Sequence, residues 1–344
     1  MRKVNREGEV WVFAEQIGGK LHEVSLELCG RAQQLAKTLG VKAAAVLPGS
    51  AKHVEGLPEQ LIAHGADKVY IIADPLLDHY QTNTYAEVLC QMVRKHEPQI
   101  LVYGATPLGR DLAPRVASEV ESGLTADCTD LQIQNVTEPK TKVEHDNLLL
   151  QIRPAFGGDI VATIVNFDWW PQMATVREGV MPMLPADLSR KGEIVEEKLT
   201  IDPMLAVLKL IEHHTEERKV NLKASRIIVS GGGGLGGPDG FAPLFELAGA
   251  MGGVVGSSRA AVNAGWIGHE HLVGQTGTSV RPALYIACGI SGAIQHRAGM
   301  ENSSKIIAIN TDPDAPILGL AHYAIIGDFR EIVPMMTKAV KAKE

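Results

Sequence analysis

Three stretches of the second half carry residue types spaced for holding a phosphorylated cofactor. The first is RIIVSGGGGLGG, Arg226 to Gly237, in which an apolar run from Ile227 to Val229 empties into six glycines after Ser230. The run reads as a fully buried parallel strand, and Gly232, Gly233 and Gly234 let backbone amides approach a pyrophosphate with no Cβ in the way. A phosphate there would also meet a helix N-terminus. In the second, GSSRAAVNAGW (Gly256 to Trp266), a strand empties into a Gly-Ser turn before a helix and leaves Ser258 and Arg259 at its end. The third joins VGQTG (Val273 to Gly277) to LYIACGISGAIQHRAGM (Leu284 to Met300) and to a strand, Ile306 to Asn310, that closes on Asn and then Asp312. A glycine run by itself serves equally well as a turn. The three together have the layout of a dinucleotide pocket.

The elements that must position these residues belong to an α/β chain of two domains, 1–203 and 204–344. In the first, strand and helix signals alternate, which predicts a Rossmann-like, mostly parallel sheet covered on both faces. Strands are expected at Val10 to Ala14, Val41 to Leu47, Lys68 to Ile72 and Ile100 to Gly104. Ser25 is placed to cap a helix burying Leu28, Ala32, Leu35, Ala36 and Leu39, with Gly40 ending it. A second amphipathic helix carries Tyr85, Val88, Leu89, Met92 and Val93. The turn after Tyr103 puts Arg110 and Asp111 at a strand's carboxyl end, where α/β sheets bind ligands, but its glycines are too sparse for a phosphate cradle; a structural or partner-facing role is the expectation, with Arg110 and Asp111 placed to form an exposed ion pair of little energetic weight.

From Cys128 onward the runs shorten and lose their intervening helices: Thr129 to Ile133, Asn147 to Ile152, Ile160 to Val165 and Gln172 to Val176. These predict an antiparallel extension of the sheet. Adjacent Trp169 and Trp170 cannot both face one side of a strand and suit a core cluster or a partner surface. Charge density rises through Glu193 to Lys198 and Glu212 to Lys223, on either side of a short amphipathic helix, Met204 to Ile211, a pattern that suits an interdomain connection. The parallel α/β unit that follows ends in a helix, Ile332 to Lys343.

Composition narrows the function. The 344 residues are 45% apolar and 21% charged, ordinary for globular domains, and the net charge of −7 disfavours nucleic acid and anionic membrane as partners. Cys29, Cys90, Cys128 and Cys288 show no paired spacing of metal or redox sites and read as buried reduced thiols. The start has neither signal-peptide nor transit character, and no apolar run reaches membrane length, so a cytoplasmic protein without membrane insertion is expected.

The later motifs resemble the α subunit of electron-transfer flavoproteins: Leu284 and Tyr285, then Gly289 to His296 (GISGAIQH), Gly299 and Asn310. The similarity extends through Val273 to Thr276, back to Ser258 and Arg259, and into RPAFGG (Arg153 to Gly158) and PQMATVREG (Pro171 to Gly179), so it covers most of the chain. It implies a C-terminal domain that binds extended FAD. Arg259 matches a cation over the flavin ring that favours the reduced, negatively charged flavin. Gln275 and Thr276 match the loop under the ring, with the hydroxyl toward N5, an acceptor when oxidised and a donor when reduced. The matching segment from Ser291 through Gly292, Ala293, Ile294 and Gln295 to His296 meets the pyrimidine edge and ribityl chain. Among twelve histidines only His296 is singled out, as a donor to O2 able to stay charged near neutrality. Asn310 and Asp328 match contacts to the adenosine half. Gly233 stands where many relatives carry arginine; either that phosphate contact is missing or a nearby lysine or backbone amide replaces it.

The resemblance further implies a heterodimer with an electron-transfer flavoprotein β subunit, relaying single electrons from acyl-CoA dehydrogenases or similar flavoproteins to a second redox partner. Some relatives instead pair this flavin with a second one in the β partner and split electrons from NADH; the two modes stay open here. The alternative is a nicotinamide-dependent Rossmann dehydrogenase. That reading expects an acidic ribose partner about twenty residues after the glycines, where the chain offers Glu246 within a helix and then Gly252 to Ser258. It also leaves GQTG and SGAIQH without a role.

Overall fold

The computed structural model describes residues 5–155, 160–208, 210–212, 220–223 and 225–342. The chain divides into two compact units, 1–213 and 214–344. In the first, β1 (Val10–Phe13) is followed by a hairpin of β2 (Gln16–Ile17) and β3 (Lys20–Leu21), then α1 (Glu23–Leu39), β4 (Ala43–Gly49), α2 (Ala51–Val54), α3 (Pro58–Ala63) and β5 (Lys68–Ala73). There follow α4 (Thr82–His96), β6 (Ile100–Gly104), α5 (Pro107–Glu119), β7 (Leu124–Cys128), β8 (Asp130–Thr137), β9 (Glu144–Ala155), β10 (Ile160–Ile164), β11 (Gln172–Val176) and β12 (Glu193–Glu196). Seven strands form a parallel sheet in the order β12-β5-β4-β1-β6-β11-β7. Alternate residues of its central strands feed opposite cores, Trp11, Phe13 and Tyr103 toward α4 and α5, and Val10, Val12 and Val102 toward α1.

Several local expectations are corrected. Gln172 to Val176 is not antiparallel: as β11 it enters the main sheet between β6 and β7, parallel to both. All five of its residues are buried, as a central parallel strand requires. The crossover that returns the chain to it is a separate antiparallel sheet, β10-β9-β8, in place of a helix. Glu193 to Glu196 is the edge strand β12 rather than a connection, and Glu193 pairs with Lys42 and Lys68 across that edge. Ser25 lies inside the first turn of α1, its Oγ accepting from Glu15 N, while His22 is the residue that caps it. Gly40, at φ 72°, does end that helix.

Arg110 and Asp111 do not pair. Asp111 accepts from Tyr80 and Thr82, whereas Arg110 reaches Asp127, which Arg177 also grips at 2.7 and 3.2 Å. Burial would raise the Asp127 carboxyl, but hydrogen bonds and charge from Arg177, with charge from Arg110 and Arg153, bring it below the usual carboxylate range. Trp170 is buried beneath the Arg6 guanidinium, and Trp169 is half exposed. Met204 to Ile211 is not a helix among its described residues: one 3₁₀ turn at Pro203–Leu205 is followed by irregular chain with Val207, Leu208 and Ile211 exposed. So short a segment is not helical without packing. Residues 156–158 of RPAFGG lie outside the described residues.

The second unit runs β13 (Ile227–Gly231), α6 (Ala242–Ala250), β14 (Val254–Ser257), α7 (Arg259–Asn263), β15 (Leu284–Cys288), α8 (Ile294–Arg297), β16 (Ile306–Asn310), α9 (Pro316–Leu320), β17 (Tyr323–Ile326) and α10 (Phe329–Lys341). Its sheet, β14-β13-β15-β16-β17, is parallel throughout. Val229 and Ile286 pack with Leu244, Leu247 and Val333 on one face; Ile228, Tyr285 and Ala287 pack with Val273, Met300 and Ile317 on the other. Because β14 and β15 lie on opposite sides of β13, the strand order reverses there. The crevice beyond the carboxyl ends of β13 and β15 is the place where such sheets bind ligands.

Candidate functional site

A cavity of about 450 Å³ occupies that crevice, lined by Gly233 and Gly234 after β13, Ser258 to Ala260 after β14, Leu272 to Gly274 and Thr276, and Gly289 to Ser291, Ala293, Gln295 and His296 after β15. That volume is within the range of small-molecule sites. The loops hold one another through the backbone. Gly232 N donates to Cys288 O and Gly234 N to Gly289 O, each at 2.9 Å; Ser258 N donates to Gly231 O, and Val273 N to Ser257 O. Gln275 N donates to Gln295 O at 2.7 Å. The approach of the first and third loops needs glycine, since a Cβ on Gly232 would lie 2.3 Å from Gly289 O. Gly289 itself sits at φ +58°, the left-handed region that glycine enters at no steric cost.

The lining carries one fixed charge. Arg259, first residue of α7, is exposed at the cavity rim, and its Nη1 lies 3.5 Å from Thr276 Oγ1. Ser258 Oγ is buried and has no partner among the described residues. His296 is buried at 6% exposure, with Nε2 3.0 Å from the Tyr285 hydroxyl. Burial pushes its imidazole down to about 4, against a small opposing effect of the Val273 carbonyl. The expectation of a charged histidine is therefore corrected for the chain by itself, in which His296 is neutral at pH 7 and offers a hydrogen bond.

That shift has a consequence for stability. Between pH 6.5 and 4 the unfolded state takes up a proton that folded His296 refuses, so stability falls as the pH drops through this window and is intact above it. Denaturation of the cofactor-free chain is expected to show about 2 kcal/mol less stability at pH 5 than at pH 7 from this group. The same comparison in His296→Leu should lose that increment; an unchanged increment would assign the pH dependence to other groups.

Of the residues singled out from sequence, the cavity gathers Gly233, Gly234, Ser258, Arg259, Val273, Gly274, Thr276, Ser291, Ala293, Gln295 and His296. Gly232, Gln275, Gly277, Gly292 and Ile294 lie behind or beside the lining; Gly292, at φ +90°, packs where a Cβ would meet Ile317 N at 2.4 Å. Asn310, Asp312 and Asp328 stand outside the cavity, at the ends of β16 and β17. Asn310 Nδ2 donates to Ile290 O, Asp312 accepts from Asp314 N, and Asp328 caps α10 by accepting from Arg330 N. Ala260, Leu272, Gly289 and Ile290 line the cavity without having been assigned a contact, although Gly289 already stood inside the GISGAIQH motif. Arg330 was also missed: one of its Nη atoms lies 3.6 Å from where a Gly236 Cβ would be, beside the glycine-rich turn.

A doubly wound parallel sheet with a glycine-floored crevice, a cation at its rim and no carboxylate among the lining residues defines a binder of an anionic nucleotide cofactor. A family model described as the electron transfer flavoprotein domain matches residues 10–202, and another, the electron transfer flavoprotein FAD-binding domain, matches residues 221–301. The electron transfer flavoprotein subunit alpha of Thermoanaerobacterium thermosaccharolyticum is 49% identical, covering 97% of this chain and 98% of its own length. That of Clostridium acetobutylicum is 46% identical over 99% of both. The acryloyl-CoA reductase electron transfer subunit beta of Anaerotignum propionicum is 40% identical, over 98% of this chain and 97% of its own. The chain belongs to the electron transfer flavoprotein family, as an α subunit.

Its cofactor is FAD, and the residues present fit it: the glycine floor admits a phosphate-bearing chain, Ser258 Oγ is an unsatisfied buried hydroxyl, and Arg259 and Thr276 stand together at the rim. The nicotinamide reading is not favoured. Among the described residues no cluster of side chains could hold a metal ion, and no helix is long and apolar enough to cross a membrane.

Proposed function

We propose that this chain forms a heterodimer with an electron transfer flavoprotein β subunit and relays single electrons from an acyl-CoA dehydrogenase or similar flavoprotein to a second redox partner. Within it, residues 1–203 act as the partner-facing scaffold and 204–344 as the FAD-binding domain. The observation that carries the reading is the character of the lining. It gathers Gly233, Ser258, Arg259, Thr276 and His296 in one cavity, suited to gripping and tuning a cofactor, with its one histidine held as a neutral imidazole at pH 7. The name of the Anaerotignum relative supports a partner that handles acyl-CoA. Four buried free thiols suit a reducing compartment such as the cytoplasm.

Bound FAD supplies reversible redox chemistry in one-electron steps. The chain's own part is to hold it. The glycine floor and the Ser258 hydroxyl would hold its phosphate-bearing chain, Arg259 would set positive charge at the rim, and Thr276 and His296 would offer a hydroxyl and an imidazole to the ring. Asn310 and Asp328 would serve the adenosine end.

Expression with and without the β subunit tests the proposal. The chain alone is expected to retain little FAD, because a cofactor ring left at an uncovered seam exposes apolar surface and escapes. Co-expression should yield an FAD-loaded heterodimer that an acyl-CoA dehydrogenase reduces. A flavin-replete monomer reduced by that dehydrogenase would overturn the heterodimer. One FAD per heterodimer assigns the simple relay, and two assign the NADH-splitting mode.

A further inference from the structure

Tyr285 has no part in the reading above, yet it is the largest polar side chain buried beneath the cavity. It sits at 0% exposure on β15, paired with Ile228 on one side and Ile306 on the other, so the sheet fixes its backbone. Its ring packs among Val273, Met300 and Ile317, and its hydroxyl lies 3.0 Å from Nε2 of His296. The two rings lie 6.1 Å apart and inclined at 59°, so their contact is through the hydroxyl rather than by stacking.

A neutral imidazole has one N–H and one bare nitrogen, and whichever partner engages one nitrogen decides what the other offers. A phenol hydroxyl is able to donate to a bare Nε2, and the proton then belongs on Nδ1. Burial raises the Tyr285 phenol and lowers the His296 imidazole, so both are uncharged at pH 7 and the contact is a neutral hydrogen bond. Nδ1 is buried and makes no well-formed hydrogen bond among the described residues. With Nε2 engaged by Tyr285, it is the ring nitrogen left to serve an acceptor, a ligand in the cavity competing there with the Val273 carbonyl.

We propose that Tyr285 is a positioning residue for the cofactor site: its hydroxyl donates to Nε2 of His296, fixing the ring and its Nδ1–H tautomer so that Nδ1–H is presented to an acceptor on bound FAD. This rests on the reading of His296 as a flavin contact. In that role Tyr285 never touches the cofactor. It converts a side chain free to turn and to exchange tautomers into a donor of fixed direction, the part that outer partners of ligating histidines play elsewhere.

The test uses the FAD-loaded heterodimer and its apo form. Nitrogen NMR of ¹⁵N-histidine-labelled wild type is expected to show His296 protonated at Nδ1; protonation at Nε2 would overturn the proposal without any mutant. Tyr285→Phe, which removes the hydroxyl alone, is expected to mix the two tautomers and to weaken FAD binding about fivefold, the factor of one ordinary hydrogen bond. His296→Ala should weaken it at least as much, and the double variant Tyr285→Phe/His296→Ala no further, because Tyr285 acts only through His296. Additive losses, or a Tyr285→Phe protein with wild-type tautomer and FAD affinity while His296→Ala binds weakly, would overturn the positioning role alone. An unchanged FAD affinity in His296→Ala would instead remove the reading on which it rests.

Discussion

Gly289→Ala is expected to come through purification without FAD. The residue occupies the left-handed region, which disfavours an L side chain by about 1–2 kcal/mol. The new Cβ would also lie 2.9 Å from Gly234 C and 3.2 Å from Leu235 N, atoms of the facing loop's backbone that have no rotamer to escape into. Overpacking of that kind costs about 1–3 kcal/mol. The two loops must part, and the floor of the cavity parts with them. A combined effect of about 3 kcal/mol is roughly a hundredfold in Kd. Titration of the apo heterodimer with FAD, followed by flavin fluorescence, checks it. Gly249→Ala serves as the matched control, since its Cβ meets nothing within 4 Å and lies on a helix where alanine is the better former. Wild-type affinity in Gly289→Ala would show that the cofactor does not depend on the contact between these loops.

Arg259→Ala is expected to leave FAD bound and to lower the potential at which it takes its first electron. A unit charge 4 Å from a developing negative charge contributes about 4 kcal/mol at an effective dielectric of 20. Arg259 is exposed at the rim, where solvent screens most of that, and about a third surviving, about 1.4 kcal/mol, corresponds to roughly 59 mV for a one-electron couple. Arg259→Lys keeps the charge but loses the planar fork and should fall between. His296→Ala removes a neutral hydrogen-bonding group and should move the potential less than Arg259→Ala. Spectroelectrochemical titration of the three variants measures the order. Equal potentials in wild type and Arg259→Ala, with FAD retained, would show that the guanidinium does not face the ring.

The cofactor unit was more legible in the sequence than the first unit, and the reason is physical. Around the cavity, function is written into residues whose types are locally diagnostic: a glycine run after a buried apolar strand, a Gly-Ser turn, an Asn at a strand end. Each motif fell at the carboxyl end of a strand, as expected of β13, β14, β15 and β16. What the motifs did not reveal is which members touch the cavity and which brace it. Asn310 looks like a contact in sequence, and in the structure its amide ties the end of β16 to Ile290. The charge of His296 was illegible for a related reason: its burial depends on packing against Tyr285 and Val273, which other segments of the chain supply.

In the first unit most of the main-sheet strands were found, β7 and β12 being missed, but β11 was given the wrong direction, because nothing in Gln172 to Val176 says which strand it joins. Its neighbours are β6, reached through 67 intervening residues, and β7, reached through 43. Strand direction is a property of the return path, and here that path is a three-stranded sheet rather than the helix that usually announces a parallel crossover. The Arg110–Asp111 pairing failed similarly, through Asp127, a partner presented by another strand.

That topology bears on how the chain is made. On a ribosome β1, β4, β5 and β6 emerge first, and the sheet they form has two open margins, β5 on one side and β6 on the other. β7 cannot close the second margin, since its place is one strand further out and the gap belongs to β11. Both margins are sealed only from residue 172 onward, β6 by β11 and β5 by the Glu-bearing β12 at 193–196. Until then unpaired N–H and C=O rows of apolar strands face outward, the geometry that recruits other chains. Chains that stop before residue 197 therefore carry at least one unfinished margin, and the acidic β12 acts as the seal that ends the vulnerable period of synthesis.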